Sequence, residues 1–416
     1  MAENDVFDIS VLGHQGDGIG DGPAGRAYVP YALPGERWVR TAGGFAMTGN
    51  PNPDRQGAPC PHFGTCGGCV AQHMSGDLYR KWKRQILVDA FQSADINAVI
   101  DPLESIAPAS RRRLVMTAMW LPSGVALGFH ERGSDRLVTL STCTVADPLI
   151  VEALPVLRQL AARLLPRREQ IRVVVTRTDS GIDVGFEGAK QEISAVDRSA
   201  LAELVSTTRI LRVSVDGNPV IARAEPYLTI GAAKVVPPPG VFLQAAAPAE
   251  TLMIERVVSA VGKAKRVCDL FSGLGTFALP LSRTASILAI DNDAKALAAL
   301  NAAARNTQGL KPIETRQRDL MREPLSRKEL EDVDAIVFDP PRAGAEAQSQ
   351  TIAKSKVGKV VAVSCNPVTL ARDVAILLDG GYELQSVTPI DQFLYSSHLE
   401  AIAVLVHGSK VKRKRG

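Results

Sequence analysis

Val267-Cys268-Asp269-Leu270-Phe271-Ser272-Gly273-Leu274-Gly275-Thr276 reads as a buried strand that runs into a glycine turn and then a helix. Glycine accepts φ values that other residues resist, and it lets a ligand approach the backbone closely. The next apolar run, Ile287-Leu288-Ala289-Ile290, ends at Asp291. An acid at the end of the second strand is placed to accept hydrogen bonds from ribose hydroxyls. The dinucleotide pattern GxGxxG asks for a third glycine where this chain has Ala278, which the pattern tolerates. Strand, turn, helix and acid together point to a nucleoside-binding α/β fold.

Downstream, the apolar runs RVCDLF, SILAID, DAIVFD and KVVAVSC alternate with helix-like segments at 276–283, 293–305 and 367–380. Strands alternating with helices predict βαβ units and a parallel sheet. Asp319 follows the third strand, where it could meet an adenine or cap a helix. Asp339-Pro340-Pro341-Arg342 follows the fourth and resembles the catalytic loop of nucleic-acid methyltransferases, which favours S-adenosylmethionine over a nicotinamide cofactor. Val360-Val361-Ala362-Val363 ends at Ser364-Cys365-Asn366-Pro367. Strand C-termini line the ligand crevice of open α/β sheets, so Cys365 is expected beside the cofactor, before a helix start that favours a thiolate.

A cysteine, an acid and a methyl donor suggest one chemistry. Carbon 5 of a pyrimidine is a poor nucleophile until a thiolate adds to carbon 6. After methylation a base must remove the carbon 5 proton so that the cysteine can leave. Glu400, in Ser396-Ser397-His398-Leu399-Glu400-Ala401, is the candidate base, with His398 structural. Cys268 reads as a packed core thiol.

Upstream, residues 6–40 alternate apolar and polar positions between glycine turns and predict a small β-barrel or sheet. Residues 49–61 read as a linker and 77–93 as a helix with Leu78, Trp82, Ile86 and Leu87 on one face. From about 100 to 245 short strands dominate, with a helix at 147–165, which predicts an α+β unit with an antiparallel sheet. Cys60, Cys66 and Cys69 fall within ten residues, and the next cysteine is Cys143. Four thiolates suit zinc or an iron–sulfur cluster, and spacing alone does not separate the two.

Composition narrows the class. The 416 residues give a prior of two or three domains. Lys and Arg total 48 against 44 Asp and Glu, a net charge of +4. Five positive charges sit in Lys410–Gly416, so the rest of the chain carries 4 − 5 = −1. Any anion-binding surface in the body must come from local clustering, for which Arg111-Arg112-Arg113 is the candidate phosphate contact. No run of 18 apolar residues exists and MAENDVFDIS lacks the features of a signal peptide, so a cytoplasmic protein with reduced thiols and no membrane association is expected.

FLQ at 242–244, DLFSGLGTF at 269–277, FDPPRAG at 338–344, VSCNPVTLARD at 363–373 and HLEAI at 398–402, together with CPHFGTCGGC at 60–69 and Cys143, resemble the RNA uracil-5-methyltransferase family over nearly the whole chain. The resemblance implies that Cys365 is the nucleophile, Glu400 the base and Asp339 a hydrogen-bond partner of the uracil edge. It places Gln244, Phe271, Ser272, Gly273, Asp291, Asp319 and Asp339 around S-adenosylmethionine, and a 4Fe–4S cluster on Cys60, Cys66, Cys69 and Cys143. Phe242 could stack on a base. The family's FxQxN has Ala246 in place of its Asn. Residues 1–50 resemble a TRAM module, an RNA-binding barrel of the oligonucleotide-binding kind. Only 19 residues separate Arg40 from Cys60, which leaves little room for the last strands of a barrel.

The expected architecture is therefore a TRAM-like module over 1–50, a β-rich unit with an iron–sulfur site over 51–245, a Rossmann-like methyltransferase over 246–408, and a basic tail over 409–416. The expected substrate is RNA, 23S rRNA ahead of tRNA, with no obligate protein partner. Two rivals are an exocyclic-amine methyltransferase that uses DPPR without a nucleophile, and an iron–sulfur RNA-binding factor with an inactive methyltransferase fold.

Overall fold

A computed structural model describes residues 6–23, 25–166, 169–189 and 192–408. The basic tail over 409–416 lies outside them. Strands β1 (Val6–Leu12), β2 (Gly18–Gly22), β3 (Gly25–Val29), β4 (Arg37–Thr41) and β5 (Gly44–Thr48) form an antiparallel sheet of order β3-β2-β1-β4-β5. Five strands fit before residue 49 because β4 and β5 are joined by a turn at Ala42-Gly43, so the short interval to Cys60 removes no strand. Phe7, Ile9, Ala27, Val29 and Ala32 form its small core.

Helix α1 (Gly76–Gln92) starts where Ser75 accepts a hydrogen bond from the Leu78 amide. Its stripe reaches Leu87 and Phe91, which pack with Ile96 and Ile100 into the core of the C-terminal sheet. Strand β6 (Glu104–Ser105) extends that sheet as an edge strand parallel to its neighbour. Part of the 51–245 interval therefore packs into the C-terminal core, because the apolar face of α1 finds its partners there.

The seven-stranded central sheet has the order β13-β12-β11-β10-β7-β8-β9. It contains β7 (Arg113–Leu121), β8 (Gly124–His130), β9 (Leu137–Thr139), β10 (Gln170–Arg177), β11 (Ile182–Glu187), β12 (Ile210–Val215) and β13 (Asn218–Ala222). Helices α2 (Pro148–Leu164) and α3 (Ala195–Val205) supply Ile150, Leu154, Leu157 and Leu201 to its core. The sheet is mixed: β11 and β12 run parallel across the α3 connection, whereas the other pairs are antiparallel. A short hairpin, β14 (Leu228–Ile230) and β15 (Ala233–Val235), leads into α4 (Ala247–Val261).

The C-terminal unit alternates β16 (Arg266–Leu270), α5 (Ala278–Leu281), β17 (Ser286–Asp291), α6 (Ala294–Arg305), β18 (Ile313–Gln317), β19 (Ala335–Phe338), α7 (Glu346–Ala353), β20 (Lys359–Ser364) and α8 (Pro367–Asp379), and ends with β21 (Tyr382–Asp391) and β22 (Glu400–His407). Its order is β18-β17-β16-β19-β20-β22-β21-β6. The first five strands are parallel, and β22 is antiparallel to both β20 and β21. The strand order reverses beside β16, which opens a crevice at the C-terminal strand ends. The central strands β16, β17, β19 and β20 are largely apolar because both of their faces are covered, whereas β18 and β6 at the sheet edges carry polar residues.

Candidate active site

The glycine turn follows β16. Phe271 and Gly273 have φ values of 60° and 51°, in the left-handed region. Gly275, at φ 87°, packs against α6, where a Cβ would stand 2.4 Å from Leu300 Cδ1. The backbone amide of Gly273 donates to Asp291 Oδ2 at 2.8 Å, and the Asp293 amide donates to Oδ1 at 2.8 Å. The acid at the end of β17 is thereby fixed beside the turn, with lone pairs left for a polyol. Ser272 Oγ is buried with no partner. Asp269, in β16, is also buried, and burial raises its pKa well above the usual carboxylate range, against a hydrogen bond from the Ala278 backbone. Asp319 acts locally: its Oδ1 accepts from the Met321 amide at 3.0 Å and its other oxygen pairs with Arg322 at 3.4 Å.

Register brings the catalytic candidates together. Phe338 pairs with Ala362 and Ser364 with Ala401, so Asp339, Cys365 and Glu400 emerge at neighbouring strand ends. Asn366 caps α8 through the Val368 amide and also donates to the Arg342 carbonyl at 2.9 Å, tying the Cys365 turn to the DPPR loop. Gln244 Nε2 donates to Asp339 Oδ2 at 2.8 Å. Gln392 Nε2 donates to Gln244 Oε1 at 2.8 Å and to Glu400 Oε2 at 2.6 Å. Gln244, Gln392 and Glu400 are buried, and Asp339 is partly buried.

These groups are protonated more readily than in water. Burial pushes Asp339 up to about 7, against the hydrogen bond from Gln244. Burial and the nearby Asp339 hold Glu400 well above the carboxylate range, against the hydrogen bond from Gln392. Burial, Glu400 and Asp339 push the Cys365 thiol up to about 11, with Arg342 opposing. Desolvation and the two acids thus oppose the thiolate that the start of α8 favours. Protonating either acid removes part of that repulsion.

The four cysteines upstream line one cavity of about 400 Å³, together with Arg111 and His398. All are free thiols. Burial raises Cys66 and Cys143 and pushes Cys69 up to about 12. Neighbouring thiols that repel as anions in a low-dielectric pocket form a donor set that a cationic centre would stabilise. Among the described residues, no group of three or more His, Cys, Asp or Glu side chains is gathered closely enough to hold a metal ion. The four thiols thus share one cavity without being gathered around a point.

Arg111, Arg112 and Arg113 are not a phosphate-binding patch. Arg112 is buried, pairs with Glu250 at 2.6 Å and donates from Nε to the Gln244 carbonyl at 3.1 Å. Arg111 stands over the Phe393 ring at 5.9 Å, and burial lowers both Arg111 and Arg113. The strand start turns inward against Ala245, Ala246 and Ala146, which a charge run alone does not reveal. Phe242 stands exposed, and Cys268 is buried in β16.

Sequence reasoning missed Gln392 and the Lys83–Asp391 pair. Lys83 Nζ lies 2.9 Å from Asp391 Oδ1, both fully buried, and Tyr79 Oη donates to Asp391 Oδ2 at 2.5 Å. The available signal for the ion pair was a lysine on the apolar side of α1; nothing in the sequence marks Gln392. Among the described residues, no helix is long and apolar enough to cross a membrane.

Comparison with known proteins gives the relationship. The tRNA (Uracil-5-)-methyltransferase family model matches residues 236–408. An RNA methyltransferase of Rhizobium meliloti (strain 1021) is 44% identical over 407 residues, covering 95% of this chain and 98% of that protein. A 23S rRNA (uracil(1939)-C(5))-methyltransferase, RlmD, of Chromohalobacter salexigens is 31% identical over 435 residues, covering 97% of this chain and 90% of that protein. The crystal structure of Pyrococcus abyssi tRNA (uracil-54, C5)-methyltransferase in complex with S-adenosyl-L-homocysteine superposes with a TM-score of 0.75 at 21% identity, covering 96% of this chain and 100% of that one.

Proposed function

As the chain belongs to the RNA uracil-5-methyltransferase family and is an RNA methyltransferase, we propose that it methylates carbon 5 of a uridine in 23S rRNA, with Cys365 as nucleophile and Glu400 as base. The carrying observation is the strand register that sets Cys365 beside Glu400, with Asp339 next to both. S-adenosylmethionine, when bound, supplies the methyl group. Gly273, Asp291 and the buried Ser272 would hold its nucleoside and methionine portions, with Phe271 and Gln244 closing the site and Asp319 at the adenine end. Asp339 hydrogen-bonds the uracil edge. The Cys365 thiol loses its proton to solvent and its sulfur adds to carbon 6; carbon 5, activated by that addition, takes the methyl group with the thioether of the spent donor as leaving group; Glu400 then takes the proton from carbon 5, so that the C5=C6 double bond re-forms and the C6–S bond breaks. The target uridine leaves its stack to reach Cys365.

The resemblance over the full length to a 23S rRNA enzyme supports rRNA as substrate. A tRNA substrate is the second reading, favoured by the description of the family model. Cys60, Cys66, Cys69 and Cys143 would hold a 4Fe–4S cluster, supported by their shared cavity. The five-stranded N-terminal sheet is read as a TRAM-like RNA contact, and the protein as cytoplasmic.

Cys365→Ala is expected to abolish turnover, and Glu400→Gln to trap a covalent protein–RNA adduct visible on a denaturing gel. Normal turnover by Glu400→Gln would refute the base, and full activity of Cys365→Ala would favour the amine-directed rival. Mapping 5-methyluridine in rRNA and tRNA from a deletion strain separates the two RNA classes. Anaerobic purification is expected to yield a brown protein containing iron; zinc without visible absorption would refute the cluster.

A further inference from the structure

We propose that Gln392 is a positioning residue for the proton-abstraction step: it clamps one oxygen of Glu400 so that the other faces the site, and through Gln244 it joins Glu400 and Asp339 into one hydrogen-bonded chain. The inference rests on Glu400 being the base.

Every polar atom of the Gln392 amide is used. Its Oε1 accepts from the Ala245 backbone amide at 3.0 Å, and its Nε2 donates to Gln244 Oε1 and Glu400 Oε2 at 2.8 and 2.6 Å. The amide cannot flip, because the flipped form would face Oε1 towards two acceptors and Nε2 towards a backbone N–H. Donation to Glu400 is therefore fixed by the backbone of the Gln244–Ala246 segment. That segment is fixed in turn, since Arg112 donates to the Gln244 carbonyl and pairs with Glu250. Glu400 Oε1 is left buried with no partner, free to receive a proton.

The chain of amides has a direction. Gln244 donates to Asp339 and accepts from Gln392, and Gln392 donates to Glu400, so each carboxyl receives one amide N–H. A donated hydrogen bond favours the ionised carboxylate. The titratable groups that act on Glu400 are Asp339 after β19 and Cys365 after β20; Asp391 of β21 follows Ile390, the strand partner of Glu400, and is paired with Lys83 of α1. Against burial and the repulsion of Asp339, Gln392 is the donor that keeps the base available. It touches no reacting atom and acts through Glu400.

The test compares Gln392→Leu and Gln392→Glu with the full-length wild-type enzyme. Gln392→Leu removes both donors at similar volume. Gln392→Glu keeps an oxygen for the Ala245 amide and replaces the donor facing Glu400 with an acceptor. Both are expected to lower kcat by roughly ten- to a hundred-fold, less than the roughly 10²–10⁴-fold for losing a base outright. KM for RNA should stay near wild type, the covalent adduct should accumulate, and the acid limb of the pH–rate profile should move to higher pH. If Glu400→Gln traps adduct but both Gln392 variants keep wild-type kcat, adduct level and pH profile, the proposal falls while the base assignment stands. If Glu400→Gln turns over normally, the base assignment itself has failed. Equal loss of kcat, RNA affinity and cofactor affinity, with no shift in pH profile, would mean a merely structural role and overturn the proposal.

Discussion

Replacing Lys83 with methionine should destabilise the protein by about 3–5 kcal/mol, the usual cost of removing one member of a buried ion pair. The setting justifies the upper part of the usual mutational range. Lys83 and Asp391 have no exposed side-chain surface, and the ammonium lies 2.9 Å from Asp391 Oδ1. The same ammonium also donates to the carbonyls of Phe393 and His398. Lys83→Met would leave the Asp391 carboxylate with only the Tyr79 hydroxyl and strand two carbonyls. Asp391→Leu alone should cost a similar amount by leaving the ammonium unpaired. The double variant, with apolar groups of similar volume, should recover most of the loss, so the cycle should show strong coupling. Because the chain has several cores, the transition should be followed in urea through Trp82 fluorescence with Trp38 and Trp120 changed to phenylalanine. Trp82 sits on the same helix and its Nε1 donates to the Gly13 carbonyl at 2.9 Å. A single-variant loss below about 1 kcal/mol, or a double variant as weak as the sum of its parts, would refute the reasoning.

The acids of the site should make stability depend on pH. Asp339 binds its proton up to about pH 7 in the folded protein and only to the ordinary carboxylate range when unfolded, so stability falls as pH rises between these values. Asp339→Asn should therefore raise the urea midpoint at pH 8 and lose that advantage by pH 4; a gap independent of pH would count against a raised Asp339. Arg112→Met should cost about 3–5 kcal/mol by stranding Glu250, with no change in the salt slope of RNA binding. A reduced slope in stable protein would restore the phosphate-contact reading. Gly275→Ala should weaken S-adenosyl-L-homocysteine binding in calorimetry: Leu300 Cδ1 can move, but a φ of 87° costs a non-glycine residue about 1–2 kcal/mol. Unchanged affinity would show that the turn relaxes freely.

Local patterns were legible where one interaction decides the structure. The run from Val267 to Thr276, the acid at Asp291 and the strand ending at Cys365 all follow from apolar runs that stop at polar residues, and the parallel sheet follows from their alternation with helices. The C-terminal antiparallel strand was not decided by period: the sequence around Glu400 offers a candidate base but nothing that says it is buried, and it is pairing of β22 with β20 that encloses it. Arg112 misled for the same reason, since three adjacent arginines look solvated until the chain is known to fold back on Ala245. The allegiance of α1 was hidden because its stripe is compatible with any apolar face, and the choice between two sheets is tertiary. Gln392 was invisible because an amide becomes informative only when its three partners are known.

The segment between β21 and β22 explains why the N-terminal parts bear on a site built at the other end of the chain. It carries Gln392 at one end and delivers Glu400 at the other, with the seven residues 393–399 between them to hold in place. Each upstream unit holds it at a different point. The Gln15 side chain of the five-stranded unit accepts from Ser397 Oγ. The amides of Val70 and Ala71, just past Cys69, donate to the Tyr395 carbonyl at 2.7 and 3.1 Å. Tyr79 accepts from the Tyr395 amide at 2.8 Å, Lys83 donates to the carbonyls of Phe393 and His398, and Arg111 covers the Phe393 ring. A loop held only by its own ends would sample many conformations, and ordering each residue costs roughly 1–2 kcal/mol of backbone entropy. Here that cost is met when the upstream units fold around it, before RNA arrives. The same contacts make the thiol cavity and the base share one wall, since Val70 and His398 both line that cavity. A change that loosens the cysteine loop must therefore loosen Tyr395 and its neighbours. Cys69→Ser is accordingly expected to lower kcat more than RNA affinity, read from single-turnover kinetics alongside filter binding. Loss of RNA affinity with an unchanged chemical step would instead assign the cysteine loop to RNA docking alone.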